Sequence, residues 1–242
     1  MNEDDGAQNT PVGVLRAAVR DLGSARGNQT AGLQLIPPGD GDPRRWTGGH
    51  PLPPEIRKLY AYAGGFSLYG DDYSWDPPSG GQALPGVFDQ PVGIWEDGLG
   101  NSTAVDIGPE TGAWGAVLFL CHDPAMVVVE APDFSGWLQW LLDQCRKLPV
   151  TGKDESSLEE EAGVLTWARL DPRRERTLGP ADALSPGDDA VLGAFLGRLP
   201  PGAVVFDLRA PQPGDFVDLE PFTPDVKYQR AGEGLLFAAL PR

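Results

Sequence analysis

The sequence contains little cysteine and little histidine. Among its 242 residues there are two cysteines, Cys121 and Cys145, and two histidines, His50 and His122. Two cysteines exclude a disulfide scaffold, and both lie in apolar runs, where buried reduced thiols are expected. His122-Asp123 has no further histidine to complete a metal site, and it lies between two strand-like runs, so it predicts a hairpin turn. We expect neither a metal nor another cofactor.

Long apolar runs are also missing. No stretch approaches the roughly 18 apolar residues that a membrane helix requires. The acidic start of the chain, Met1–Asp5, is not followed by the apolar region of a secretory signal. We therefore expect a cytoplasmic protein that does not enter a membrane. The 32 glycines and 25 prolines exclude a coiled coil or a helical bundle, while the apolar share of 40% is enough for a core.

Basic residues are absent from the middle of the chain. Residues 59–145 contain no lysine or arginine but twelve acidic residues, in a chain whose formal net charge is -16. A field of one sign repels nucleic-acid phosphates and anionic lipids and attracts basic proteins. We therefore expect a basic protein partner and no nucleic-acid or membrane partner. The alternative, that the acidic residues only keep the protein soluble, stays open.

The apolar periodicity predicts helices on either side of a block of strands. Helices are predicted over Val12–Leu22, from Pro53 to the Gly64-Gly65 pair, and from an Asp133 cap to Cys145. Alternating and apolar runs predict strands between them, and the last two strands form a hairpin: Phe66–Gly70, Val92–Trp95, Thr103–Ile107, Ala116–Cys121 and Met126–Ala131. The predicted fold class is α+β, an antiparallel sheet with helices packed on one side.

The charge and turn pattern divides the chain into four parts. Residues 1–50 form an N-terminal helix and a long loop that belong to the first domain, and residues 51–147 form its α+β core. Residues 148–161 are an acidic linker. Residues 162–242 form either a small C-terminal α+β domain or an extension packed on the first. Its predicted elements are strands at Val164–Leu170, Ala203–Arg209 and Leu235–Leu240 and a helix at Asp188–Leu199.

Motifs for catalysis are incomplete. Gly65–Tyr69 lacks the second glycine of a nucleophile elbow, and Gly98-Leu99-Gly100 lacks the third glycine of a dinucleotide fingerprint. Aromatic residues instead lie among acidic residues in a glycine- and proline-rich segment, which is typical of contact residues, although the loop could also fold back and bury the aromatic rings. The predicted contact set is Asp71, Asp72, Tyr73, Trp75, Asp76, Glu96 and Asp97. A calcium site at Asp71, Asp72 and Asp76 is the weaker alternative, since no EF-hand pattern is present.

An ordered series of segments resembles the SUKH superfamily. The series begins with Leu52–Gly65, which is similar to that family's LP-containing helix before a glycine pair, although Ala63 stands where the family often has Asn. The later segments follow in the family's order over residues 40–147: Ile94–Asn101, Val105–Ile107, the Ala116–Ala131 hairpin with His122-Asp123, and the closing helix Asp133–Leu142. The resemblance implies a SUKH-like α+β fold.

The same resemblance implies a binding module rather than an enzyme. Members of this superfamily include bacterial immunity proteins that neutralise polymorphic toxins, often nucleases, and a fungal regulator of cell-wall synthesis. We therefore expect an immunity protein that occludes a basic, nuclease-like toxin with its acidic surface. Two alternatives stay open: an adaptor or regulatory protein of the same fold without a toxin partner, and an acid-rich hydrolase with two converging carboxylates.

Overall fold

Four α-helices and three sheets make up the described parts of the protein, so the α+β class is confirmed. The structure is a computed structural model that describes residues 10–24, 33–39, 50–68, 71–75, 86–88, 91–147, 172–220 and 226–241. The helices are α1 (Pro11–Ser24), α2 (Pro54–Tyr62), α3 (Phe134–Lys147) and α4 (Ala190–Leu196). The strands are β1 (Leu33–Ile36), β2 (Gly65–Leu68), β3 (Asp71–Ser74), β4 (Val92–Glu96), β5 (Ser102–Ile107), β6 (Trp114–Cys121), β7 (Met126–Ala131), β8 (Arg174–Glu175), β9 (Thr177–Pro180), β10 (Val204–Asp207), β11 (Asp215–Asp218), β12 (Lys227–Arg230) and β13 (Leu236–Leu240).

A six-stranded sheet forms the centre of the fold, in the order β4-β5-β6-β7-β11-β8. The predicted hairpin of β6 and β7 is confirmed, with Phe119 opposite Val128 and Cys121 opposite Met126. Strand β11 pairs antiparallel with β7, and β8 pairs parallel with β11. The C-terminal region therefore supplies two strands to the sheet that the first region begins.

The central sheet is buried on both faces. Successive side chains of a strand point to opposite faces. Val128 accordingly packs with the three long helices, whereas its neighbours Val127 and Val129 pack against the C-terminal strands. A strand covered on both faces is apolar without alternation. This explains the continuous apolar runs of β6 and β7.

Helices α1, α2 and α3 cover one face, as the sequence pattern predicts. Their buried side chains share one cluster with the three-stranded sheet β1-β2-β3 and with one face of the central sheet. Asp133 caps α3, because its Oδ1 accepts the backbone N–H of Gly136 at 2.8 Å. The apolar face of α3 is fully buried through Trp137 and Leu138, each with 0% exposure.

The second face of the central sheet is covered by a four-stranded sheet, β12-β13-β10-β9. Phe206 of β10 and Phe237 of β13 stack at 5.1 Å between the two sheets. The outer face of this second sheet is covered by α4 through Leu192 and Phe195. The described part of residues 162–242 thus forms an extension packed on the first region. The predicted strand Val164–Leu170 and the predicted linker 148–161 lie outside the described residues.

Several boundaries differ from the sequence prediction for local reasons. Helix α2 ends at Tyr62 rather than at the glycine pair, since Ala63 is already extended with φ -157°. Gly65 begins β2, where a Cβ atom would collide with the backbone of Tyr73 on the neighbouring strand. Strands β1 and β3 lie in segments predicted as loops. Helix α4 is shorter than predicted at both ends: Asp189 caps its start by accepting the N–H of Leu192 at 2.9 Å, and Gly197 caps its end.

Candidate interaction surface

The two aromatic residues of the predicted contact set are core residues, so that part of the prediction is wrong. Tyr73 and Trp75 are 4% and 0% exposed. The ring of Tyr73 stacks on Phe66 at 5.0 Å, and the indole N–H of Trp75 donates to the carbonyl of Ala63 at 2.7 Å. Tyr60 donates its hydroxyl to the carbonyl of Trp75 at 2.6 Å. These contacts fix β3 against α2, and neither ring is available to a partner.

The acidic residues of the predicted set are distributed over two places. Asp71 and Asp72 lie on β3, where Asp72 is exposed and the side chain of Asp71 is outside the described residues. Asp76 is also outside them. Glu96 is exposed at the end of β4, and Asp97 follows it half-buried. The structure therefore brings Glu96 and Asp97 together at one hairpin turn and leaves Asp72 on a different sheet.

Asp97 organises the turn between β4 and β5. Its Oδ1 accepts the backbone N–H groups of Leu99 at 2.8 Å and of Asn101 at 3.0 Å, and its Oδ2 accepts the side-chain amide of Asn101. Gly98 and Gly100 take positive φ values of 71° and 99°, which suit glycine. Asp97 is thus a structural residue of the turn. The turn holds the side chain of Leu99 outward, and the residue is 76% exposed.

The β4–β5 turn lies beside the turn that joins β6 and β7. Asn101 accepts the backbone N–H of His122 on its Oδ1 at 2.8 Å. The predicted hairpin turn at His122-Asp123 is confirmed, and both residues are exposed. Ala125 of the same turn donates its N–H to the carboxylate of Glu220 at 3.0 Å. We call the group Glu96, Leu99, Asp123 and Glu220 the hairpin-tip surface.

Cys121 lies half-buried at the start of the β6–β7 turn. Burial raises the pKa of its thiol, backbone hydrogen bonds at Asp123 and His122 oppose this rise, and the nearby carboxylates of Asp97 and Asp123 add to it. A raised pKa keeps the thiol protonated and poorly nucleophilic. Cys121 is a free thiol, as expected, but it is half-buried rather than buried. The side chain of Cys145 lies outside the described part of the chain.

Part of the acidic stretch 59–145 is buried inside the fold rather than displayed. Asp106 is 5% exposed and forms an ion pair with Arg230. Glu130 is 6% exposed and accepts the indole N–H of Trp137 at 2.6 Å. The surface of this stretch therefore displays fewer carboxylates than the sequence predicts. The carboxylates on display in the described part of the stretch are those of Asp72, Glu96, Glu110, Asp123 and Asp133.

Sequence reasoning missed Leu99 and Glu220 as surface residues. Leu99 stands in the segment Glu96-Asp97-Gly98-Leu99-Gly100-Asn101. An apolar residue between two glycines of a tight turn is expected at the surface, because turns lie outside the core. The sequence Gly98-Leu99-Gly100 therefore already indicated an exposed leucine. Glu220 carried no such signal, because its place beside Ala125 depends on a pairing 95 positions apart in the chain.

Groups for metal binding do not converge in the described part of the chain. Among those residues, no three His, Cys, Asp or Glu side chains are placed to hold a metal ion. Among the described helices, none has the length and apolar character needed to cross a membrane.

Comparison with known proteins gives no relative. No protein-family model matches the chain, and no significant match is found among curated proteins or solved structures. Membership of the SUKH superfamily therefore stays an expectation drawn from the ordered segments of residues 40–147.

Proposed function

We propose that this protein is a non-enzymatic binding module, and specifically an immunity protein that neutralises a cognate basic, nuclease-like toxin by covering its cationic surface. The observation that carries the proposal is the hairpin-tip surface. It combines an exposed leucine with the exposed carboxylates of Glu96 and Asp123, in a stretch without lysine or arginine. Apolar anchors within charged surroundings are common at protein interfaces.

The construction of the surface supports the proposal. Asp97 and Asn101 hold the β4–β5 turn with side-chain hydrogen bonds, and Asn101 also joins it to the β6–β7 turn. A surface that is fixed before binding loses less conformational entropy when a partner docks. The exposed carboxylates attract a cationic partner over several ångströms and speed its encounter. The SUKH-like order of segments supports the immunity role.

The mechanism is occlusion by shape and charge. A nuclease needs cationic side chains to hold nucleic-acid phosphates. Carboxylates that dock on those side chains compete with the phosphates for the same charges. Leu99 supplies apolar contact area between the carboxylates. Because this contact excludes water, it slows dissociation of the complex. No chemical step by this chain is needed.

The test is a calorimetric titration of the full-length protein with the toxin domain encoded beside its gene, at about 50 mM and about 500 mM salt. We expect binding that weakens at the higher salt, together with loss of the toxin's activity. Binding that is independent of salt would contradict the electrostatic mechanism but not the immunity role. Absence of binding at both salts would contradict the immunity role and favour the adaptor alternative.

A further inference from the structure

An extended segment at the C-terminal side borders both large sheets. Within residues 173–180, here called the edge strap, β8 pairs with β11 of the central sheet and β9 pairs with β10 of the second sheet. The strap passes from the central sheet to the second sheet at Arg176. Its N–H donates to the carbonyl of Phe216 at 2.9 Å, and its carbonyl accepts the N–H of Asp207 at 3.0 Å. The strap therefore covers the edges of β10 and β11 at the same time.

The side chains of the strap add little to the packing of the protein. Arg174 and Glu175 are exposed, and Leu178, the strap's one large apolar side chain, is 38% exposed. None of the three hydrophobic clusters of the described residues includes a residue of the strap. Burial of apolar surface is the main source of stability in folded proteins. The strap thus lacks the interaction that holds the neighbouring strands.

Charged groups hold the strap instead. The carboxylate of Asp215 accepts two hydrogen bonds from Arg174, each at 2.7 Å, and one from Arg176 at 2.9 Å. Arg176 also donates to the carbonyl of Arg209 at 3.4 Å. The side chain of Arg174 is 55% exposed. Asp215 itself is 2% exposed, so the clasp joins a buried carboxylate to one exposed and one partly buried guanidinium, and breaking it costs more than breaking an exposed ion pair. The strap nevertheless adds no side chain to the apolar clusters on either side of the central sheet.

We propose that the edge strap is a releasable unit, which leaves both sheets while the hydrophobic clusters stay folded. Its release uncovers main-chain groups for strand pairing on both sheets, among them the carbonyls of Gly214 and Phe216 and the N–H of Asp207. This property is independent of the proposed immunity function, since it concerns the C-terminal edge and not the hairpin-tip surface. A segment that is held by main-chain hydrogen bonds and one ion-pair cluster, and that places no side chain in the apolar clusters, opens at a lower free energy than the core.

Hydrogen exchange of the wild-type protein in low denaturant tests the proposal. The amides of Arg176 and Asp207 report release, because each donates a hydrogen bond across the strap boundary. We expect them to exchange at least about tenfold faster than the most protected amides of the β6–β7 ladder, with a weaker dependence on denaturant. Equal exchange rates with equal denaturant dependence would mean that the strap opens only with the whole protein, which would overturn the proposal.

A pair of charge variants tests the clasp itself. Arg174→Gln removes the bidentate partner of Asp215, and we expect exchange at Arg176 and Asp207 to rise about three- to tenfold while the β6–β7 ladder is unchanged. Lys227→Gln is the matched control, because it removes an exposed cation from β12 at the opposite edge of the second sheet. The proposal would be contradicted if Arg174→Gln accelerated exchange equally in the β6–β7 ladder, or if it left exchange at Arg176 and Asp207 unchanged.

Discussion

Arg230 and Asp106 form a buried two-pronged ion pair, although they are 124 positions apart in the sequence. Nη1 of Arg230 lies 2.6 Å from Oδ1 of Asp106, and Nη2 lies 2.8 Å from Oδ2. The guanidinium also donates to the backbone carbonyls of Val87, Gly232, Glu233 and Gly234. The C-terminal region thus supplies a counter-charge to one carboxylate of the acidic stretch.

Arg230→Met should destabilise the protein by about 3–5 kcal/mol, because it leaves the carboxylate of Asp106 buried without a partner. Arg230→Lys should recover only part of this loss, since an ammonium group cannot reproduce the planar fork. Urea unfolding measures both. Arg20→Gln is the control: its pair with Asp21 is exposed, and we expect a change within about 0.5 kcal/mol. If Arg230→Met lost as little unfolding free energy as Arg20→Gln, the ion pair of Arg230 and Asp106 would not be a major source of stability.

Trp75→Ala should act on stability and not on partner binding. The indole is fully buried and hydrogen-bonded, so its removal should cost about 3–5 kcal/mol of unfolding free energy. Asp72→Asn, on the neighbouring strand β3 but exposed, should change stability by less than about 0.5 kcal/mol. Chemical denaturation compares the two variants. A Trp75→Ala protein of wild-type stability would show that the ring is not part of the core.

The strong periodic elements of the fold could be predicted from the sequence, and the short ones could not. Helix α3 and the β6–β7 hairpin carry long apolar patterns, and their positions agree with the prediction. Strand β3 has the alternating pattern Asp72-Tyr73-Ser74-Trp75, but nearby glycine and proline favoured a loop. Strand β8 has two residues, both exposed, and no local pattern marks it. It is held by β11, whose Asp215 lies 41 positions from its partner Arg174.

The candidate surface could be predicted only in part. Glu96 is exposed as expected, but charge alone does not distinguish a displayed carboxylate from a buried one. Asp106 and Glu130 have acidic side chains like that of Glu96 and lie inside the protein. Their burial depends on partners in other elements, Arg230 for Asp106 and Trp137 for Glu130. A sequence pattern of local residues does not contain that information.

Ala210→Gly should stabilise the protein by about 0.5–1 kcal/mol. Ala210 has a φ of 48°, in the left-handed region that a Cβ atom disfavours. Gly187→Ala is the converse control, since Gly187 has a similar φ of 54° and a Cβ there would meet no atom within 4 Å. We expect that variant to lose about 1 kcal/mol from backbone strain alone. Thermal unfolding should show a higher melting temperature for Ala210→Gly and a lower one for Gly187→Ala. A shift of the melting temperature in the same direction for both variants would contradict the argument.

Arg209→Gln should raise the pKa of Asp189 from about 2 towards its ordinary value of 3.8. The hydrogen bond from Arg209 is the largest cause of the lowered pKa, followed by the N–H of Leu192. Because the folded pKa lies below the unfolded one, this pair stabilises the protein above about pH 4 and loses its effect as the pH falls towards 2. Carboxyl NMR titration gives the midpoint. Arg198→Gln, a control outside this pair, should leave the midpoint unchanged.

Glu96→Gln combined with Asp123→Asn should slow association with the toxin domain and flatten its salt dependence, because both carboxylates are exposed at the hairpin tips. Leu99→Ser should instead speed dissociation, since it removes apolar contact without changing the charge. Stopped-flow or surface-based kinetics separates the two rates. Asp182→Asn is the matched control for charge, as Asp182 is exposed in the short 3₁₀ turn before α4. Unchanged association rates in the double variant would rule out this surface as the electrostatic contact.

The insertion of β11 between β7 and β8 has a consequence for synthesis of the chain. Strand β7 ends at Ala131, but the strand that pairs with its open edge begins at Asp215, and the sheet that covers its second face ends at Leu240. While the ribosome is still making the intervening residues, the apolar side chains of Leu118, Leu120, Val127 and Val129 have no second layer to cover them. Transiently exposed surface of this kind makes nascent chains prone to aggregate. Complete burial of the central sheet therefore requires translation through the codon for Leu240.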